Sequence, residues 1–262
     1  MKRAREGGPV RYRARVEYDG TEFAGFQAQP GRRTVQGELG RVLAYLAGEP
    51  AFRIKAAGRT DAGVHATGQV IAFTWPGGMT AKELGSAIGS LLPPDVAIGP
   101  LTRVALDFDP RRAATRREYR YSIWTGPRRP LANRYRYELD ERLDSEAMHA
   151  AAQHLVGRHD FSAFGRVQHT AVRTLYEVRV RRQGHLVTVD VAGDAFLRQM
   201  VRSIVAALIR IGMGRATAED LAGELHSPGR AFDGAVVPAH GLCLRRVVIG
   251  PTRTKDNDKE VR

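Results

Sequence analysis

The residues best placed by type and spacing to do chemistry lie in one run, Gly58-Arg59-Thr60-Asp61-Ala62-Gly63-Val64-His65-Ala66-Thr67-Gly68-Gln69-Val70. Three glycines among small residues leave little bulk around a single carboxylate, and glycine permits tight turns and close approach of a ligand. The four-residue gap between Gly63 and Gly68 is that of a phosphate-binding loop. Gln69-Val70 follow, however, where such a loop needs a lysine for the phosphates and a hydroxyl for magnesium. Asp61 and His65 would share a face only on a helix, which the glycines oppose, and no third ligand is near, so a metal site is not expected. What remains is one carboxylate close to Arg59, favoured in its charged form. Such a group suits nucleophilic attack or electrostatic stabilisation better than proton donation.

A second concentration runs from Arg111 to Arg136. It holds arginines 111, 112, 116, 117, 120, 128, 129, 134 and 136 against one acid, Glu118, with Tyr119, Tyr121, Trp124, Tyr135 and Tyr137 interleaved. Guanidinium forks grip phosphates and aromatic faces stack on bases, so this density points to a nucleic-acid partner. The formal net charge of the whole chain, +13, agrees. Alternation along 117–124 places Arg117, Tyr119, Tyr121 and Ile123 on one face of a strand. A third feature is the pair Arg198 and Arg202, four apart on an expected 195–211 helix, whose like charges repel unless an anion meets them.

The elements that must carry these groups alternate. A strand is expected over Tyr12–Tyr18, then a helix with Val35, Leu39, Val42, Leu43 and Leu46 after a Thr34 cap. A strand follows at Val70–Trp75. Thr80-Ala81-Lys82-Glu83 reads as a capping box opening a helix that Pro93-Pro94 stop. Val96–Phe108 reads as extended and Arg117–Trp124 as a strand. A second round brings an Asp144-capped helix, strands near Thr174–Arg181 and Leu186–Val191, a helix from Phe196 through Leu208, a short helix from Thr217 and a strand over Leu242–Ile249. Strand, helix, strands, helix, strand thus occurs twice, which predicts an α+β chain of two halves. The expected division is 1–110, 111–250 and a polar tail, 251–262.

The composition bounds the possibilities. The chain has 262 residues, 43% of them apolar, enough to bury a large core. One cysteine, Cys243, rules out a disulfide scaffold and a cysteine-based zinc site. No apolar stretch approaches a membrane span, and the basic amino terminus has no apolar run behind it, so a soluble, cytoplasmic protein is expected.

Taken in order, further pieces join the Asp61 run. They are Tyr18-Asp19-Gly20-Thr21 with Phe23, Gly25 and Gln27; Thr34-Val35-Gln36-Gly37-Glu38-Leu39; Phe108 and Arg111 with Arg117-Glu118-Tyr119-Arg120-Tyr121; Gly157–Phe164; Arg173-Thr174; Phe196 with Met200-Val201-Arg202; and Pro238-Ala239 with Gly241-Leu242. This ordered set resembles the tRNA pseudouridine synthase A family over most of the chain. The resemblance implies isomerisation of uridine to pseudouridine in the anticodon stem-loop of tRNA, at tRNA positions 38, 39 and 40. It implies Asp61 as the nucleophile, Tyr119 as the tyrosine packed on the target base and Arg202 as the basic partner of the carboxylate. Arg59 would help hold the flipped nucleotide, with Arg111, Arg116, Arg120 and His65 as further substrate contacts. The implied fold is two RRM-like, ferredoxin-like halves whose sheets join into one mixed, mostly antiparallel sheet, with helices on one side and a central catalytic cleft. The implied assembly is a homodimer that needs neither metal nor cofactor and does not bind membranes. Pro110 and Leu197-Arg198-Gln199 depart from the family pattern, the latter where relatives carry histidines.

Two other classes use part of these features. A non-catalytic RNA-binding protein would need the basic and aromatic residues but no carboxylate in a glycine loop. A metal-dependent nuclease would need clustered carboxylates, and the loop has one. Under the synthase reading Asp61 adds to the sugar or base, or removes a ribose proton, and the residues alone leave this open.

Overall fold

The computed structural model describes residues 8–167, 170–226 and 235–250. The basic amino terminus, His169 and the 251–262 tail lie outside them. Eleven strands form one sheet. The first half supplies β1 (Val10–Tyr18), α1 (Val35–Ala47), β2 (Ile54–Ala56), β3 (His65–Trp75), α2 (Ala81–Leu91) and β4 (Val96–Ile98), with β5 (Thr102–Val104) beside β1. Their spatial order is β4-β1-β3-β2, antiparallel throughout. After the one-turn α3 (Pro110–Ala113), the second half supplies β6 (Ala114–Trp124), β7 (Tyr137–Glu138), α4 (Ser145–Ala152), β8 (Gly157–Asp160), β9 (Val172–Gln183), β10 (Leu186–Gly193), α5 (Met200–Gly212), α6 (Ala218–His226) and β11 (Leu242–Ile249). Its main strands lie in the order β11-β6-β10-β9, again antiparallel. Numbered within its own half, each set runs 4-1-3-2, so the doubled element order corresponds to a doubled topology.

The caps form where the sequence places them. Thr34 accepts from the Gly37 amide, Thr80 and Glu83 close a capping box, and Asp144 receives the Glu146 and Ala147 amides. Helix α5 is buried nearly all round, with Arg202 and Arg210 as its only charges, as befits the central helix of its half. Strands β1 and β6 begin slightly earlier than expected, at Val10 and Ala114, and two starts differ by more. Strand β3 begins at His65, so the second half of the Asp61 run is sheet, paired with β1 from Val70 back to Ala66. Helix α5 begins at Met200, so Phe196–Gln199 stand outside it.

The seam between the halves is narrow. Strand β3 pairs in parallel with β11 at only Cys243↔His65 and Leu244↔Ala66. The β11 ladder with β6 then skips Arg245, and the Arg245 backbone lies against Gly68, where a Cβ would overlap its carbonyl oxygen. Gly68→Ala is therefore expected to lower stability by about 3 kcal/mol or more, since backbone on both sides resists relaxation. A urea-unfolding midpoint equal to that of the wild type would show that the seam opens at little cost.

Candidate active site

The loop from Gly58 to Val64 leads from β2 into β3 and is fixed by short-range and distant contacts. The Thr60 carbonyl accepts from the Phe26 amide at 3.1 Å, and the Gly63 amide donates to Phe23 O at 3.3 Å. Tyr18 Oη and Thr60 Oγ1 are 2.8 Å apart, and Gln69 Nε2 donates to Gly58 O at 3.1 Å. Burial pushes the Tyr18 phenol strongly up, so it remains a neutral hydrogen-bonding group.

Asp61 projects from this loop, half-buried. Arg202 Nη1 lies 3.9 Å from Oδ2 and Arg198 Nε lies 3.5 Å from Oδ1. Neither oxygen receives a hydrogen bond from a described side chain or amide. Arg202 reaches the carboxylate from the first turn of α5, and its Nε donates to Val237 O at 2.7 Å. The ionic neighbours of Asp61 thus come from the second half of the chain. Arg59, two residues away in sequence, is exposed and forms no ion pair with it among the described residues.

Tyr119 lies on β6, between Val191 of β10 and Leu244 of β11. Its ring meets Phe196 edge-on, 5.1 Å between centroids. The phenol is pushed up to about 12, chiefly by burial; Arg117 opposes this and the Asp61 charge adds to it. It is therefore protonated at neutral pH.

Arg117, two residues earlier on the same face, is buried and has no carboxylate at ion-pair distance among the described residues. Its Nε and Nη2 donate to Ala57 O at 3.2 and 2.7 Å, Nη2 also to Arg111 O at 3.2 Å, and Nη1 to Asp194 O. Burial pulls its pKa below the usual guanidinium range. The three carbonyls belong to the segment before the Asp61 loop, to α3 and to the segment before Arg198. Sequence reading placed Arg117 on the correct face without assigning it a task. The available signal was a cation on the alternation of a core strand.

His65 is buried behind the loop. Its Nδ1 accepts from the Gly20 amide at 3.0 Å and its Nε2 meets His240 O at 3.2 Å, which fits a neutral ring protonated at Nε2. Burial lowers its pKa, Asp19 opposing. Both nitrogens are engaged within the protein, so His65 belongs to the wall of the site and offers no edge to a nucleotide. Asp19 lies 3.1 Å from His65 Nδ1 and receives Arg134 Nε at 2.6 Å and Tyr135 Oη at 3.0 Å. Burial would raise the Asp19 pKa, but hydrogen bonds from Thr21, Arg134 and Tyr135 outweigh it and hold the carboxyl well below the usual range.

The remaining expected contacts divide. Arg111 is exposed on α3. Arg116 and Arg120 lie on the other face of β6 from Tyr119. Arg116 pairs with Glu118 at 2.7 Å and Glu177 at 3.2 Å, and Arg120 grips Asp190 bidentately at 2.7 and 3.0 Å. The structure therefore brings Asp61, Arg202, Arg198 and Tyr119 together and leaves Arg116 and Arg120 apart from them.

A family model described as tRNA pseudouridine synthase matches residues 14–111 and 151–248. Among curated proteins, the chain is similar to tRNA pseudouridine synthase A of Solidesulfovibrio magneticus, 44% identical over 252 residues, covering 92% of each chain. The same-named protein of Geotalea uraniireducens is 41% identical over 236 residues, covering 88% of this chain and 96% of the relative. That of Thermosipho melanesiensis is 39% identical over 242 residues, covering 91% and 99%.

The geometry of Arg117 sets an expectation of its own. Arg117→Lys keeps the charge but replaces a rigid fork with one donor centre, leaving carbonyls among Ala57, Arg111 and Asp194 unmet. Stability should fall by about 2–4 kcal/mol, read as the loss in unfolding free energy from urea denaturation. A loss below about 0.5 kcal/mol, the range of ordinary surface changes, would show that the three segments are held by other contacts.

Proposed function

The chain belongs to the tRNA pseudouridine synthase family, and on that premise we propose that it isomerises uridine to pseudouridine in the anticodon stem-loop of tRNA, with Asp61 as nucleophile. The observation that carries the reading is the state of the Asp61 carboxylate. It faces two guanidinium groups, beside a neutral buried phenol, and no hydrogen bond from the described residues occupies its oxygens. Uncommitted lone pairs suit the carboxylate to attack, and the two guanidinium groups orient it.

The reaction cuts the bond between uracil N1 and ribose C1′ and makes one between C5 and C1′. The C5 hydrogen leaves as a proton and N1 gains one, so no electrons are exchanged and no oxidant is required. Asp61 supplies the electron pair that lets the base detach, turn and rejoin. The target nucleotide must leave its stack, at a cost of a few kcal/mol, before it reaches the carboxylate. Tyr119 borders the carboxylate as a flat apolar surface with a neutral hydroxyl, a surface for the detached base. Arg59 and Arg111, exposed near the loop, are the proposed phosphate contacts of the flipped nucleotide.

Loss of the C5 hydrogen separates this reaction from RNA binding and from strand cleavage. tRNA containing 5-tritiated uridine should release tritium to water with its strand intact and no added cofactor. Asp61→Ala and Asp61→Asn should abolish release while retaining tRNA binding, because neither side chain is a nucleophile. Tyr119→Phe should fold normally and turn over poorly, whereas Tyr119→Ala should also lose about 3–5 kcal/mol of stability through the cavity. Tritium release by Asp61→Ala at the wild-type rate would remove Asp61 from the chemistry. Absence of release by the wild type would favour the binding-protein alternative.

A further inference from the structure

Resting on that reading, we propose that Arg198 is a second positioning residue for the nucleophile: it holds Oδ1 of Asp61 while Arg202 holds Oδ2, and the left-handed turn at Gln199 aims it. A carboxylate turns easily about its last bond, and a single cation on one oxygen does not fix that rotation. One cation on each oxygen does. The two distances, 3.5 and 3.9 Å, are ion-pair distances longer than charge-assisted hydrogen bonds. They restrain the group without occupying the lone pair that must attack.

The backbone around Arg198 is built to deliver this contact. Gln199 is the one non-glycine residue with positive φ among the described residues, at φ 67°. Such a conformation is disfavoured by about 1–2 kcal/mol. It does not serve as a side-chain cap, since Gln199 makes no capping hydrogen bond to α5. It turns the chain so that exposed Arg198 faces Asp61 and the next residue, Met200, enters the core. The carbonyl of Arg198 accepts the Arg166 amide at 3.2 Å in an isolated antiparallel bridge. Gly165 permits that bridge: a Cβ there would lie 2.7 Å from Leu197 Cβ and 2.9 Å from Arg198 O. A segment with no catalytic task would not need a left-handed residue, a bridge and a close glycine contact to orient one surface arginine. The two arginines also differ in surroundings. The Arg202 side chain is 14% exposed and tied to Val237 O, whereas that of Arg198 is 60% exposed. Arg202 is the fixed member of the pair and Arg198 the member at the open side of the carboxylate.

The test compares wild type with Arg198→Ala and Arg198→Lys in single-turnover tritium release, alongside tRNA affinity at several salt concentrations. The side chain is exposed, so both variants should melt with the wild type. Arg198→Ala should release tritium roughly fivefold more slowly, the scale of a partly exposed ion pair, with the Kd for tRNA unchanged. Arg198→Lys should regain part of the rate through its point charge. An unchanged rate in Arg198→Ala would overturn the proposal. So would a weakened Kd whose slope of log affinity against log salt is flattened by about 0.7–0.9, because that is the mark of a phosphate contact. A wild type that releases no tritium would sink the enzymatic reading itself, an outcome distinct from failure of the Arg198 variants alone.

Discussion

The arrangement of this site depends on one buried cation that has no carboxylate at ion-pair distance among the described residues, Asp194 acting on it only through its more distant charge. A guanidinium removed from water costs several kcal/mol unless its donors are met, and Arg117 meets only backbone carbonyls. Those carbonyls belong to residues 57, 111 and 194. Ala57 is four residues before Asp61, and Asp194 four before Arg198. If either segment moves, a charged donor is left buried and unsatisfied, so Arg117 ties the Asp61 loop to the segment that leads into Arg198 and Arg202. The narrow β3–β11 seam adds little pairing of its own. The guanidinium therefore adds a fastening between the halves, beside the contacts of Asp61 with Arg198 and Arg202.

The contrast between Arg117 and Asp61 follows from exposure. Arg117 is buried and takes several hydrogen bonds, the condition for holding a charge away from water. Asp61 is half-buried and takes none from described groups, with its arginines at ion-pair distance. Hydrogen bonds would occupy the lone pairs of the carboxylate, whereas two cations at ion-pair distance hold it and leave them open. The same division of labour appears at His65, whose two engaged nitrogens stabilise the wall while leaving its ring neutral.

Much of this was legible in the residues. Hydrophobic period and caps gave α1, α2 and α4 with their starts, and Leu242–Ile249 was read with its observed bounds. The doubled element order became a doubled 4-1-3-2 sheet, each half carrying its own helices against its strands. Two starts were not legible, for local reasons. The glycine-rich stretch after His65 reads as loop by composition but is strand because neighbouring strands complete its ladder. The apolar run Phe196–Leu208 reads as one helix, yet Gln199 adopts a left-handed conformation that no propensity announces. Arg202 was the expected partner of Asp61, and Arg198 joins it there without having been expected. They converge across a turn, where spacing alone placed them on one helical face.

The basic segment shows why charge density alone overcounts the surface available to an anion. Within Arg111–Arg136, Arg117 is buried on carbonyls, and Arg116, Arg120 and Arg134 meet Glu118, Glu177, Asp190 and Asp19. Arg128 approaches Glu138 at 3.8 Å, and Arg129 and Arg136 lie over Trp124. Most of these acids are distant in sequence, so the local count of one acid to nine arginines hid them. Arg111 and Arg112 remain exposed on α3, with no carboxylate partner among the described residues. The bonds of Arg117 to both Arg111 O and Ala57 O set this turn beside the entry to the Asp61 loop, where exposed Arg59 also stands. Internal pairing thus removes much of the segment's charge from competition and leaves unpaired cations next to Asp61. An incoming phosphate is then drawn toward the carboxylate's neighbourhood rather than spread over the sheet.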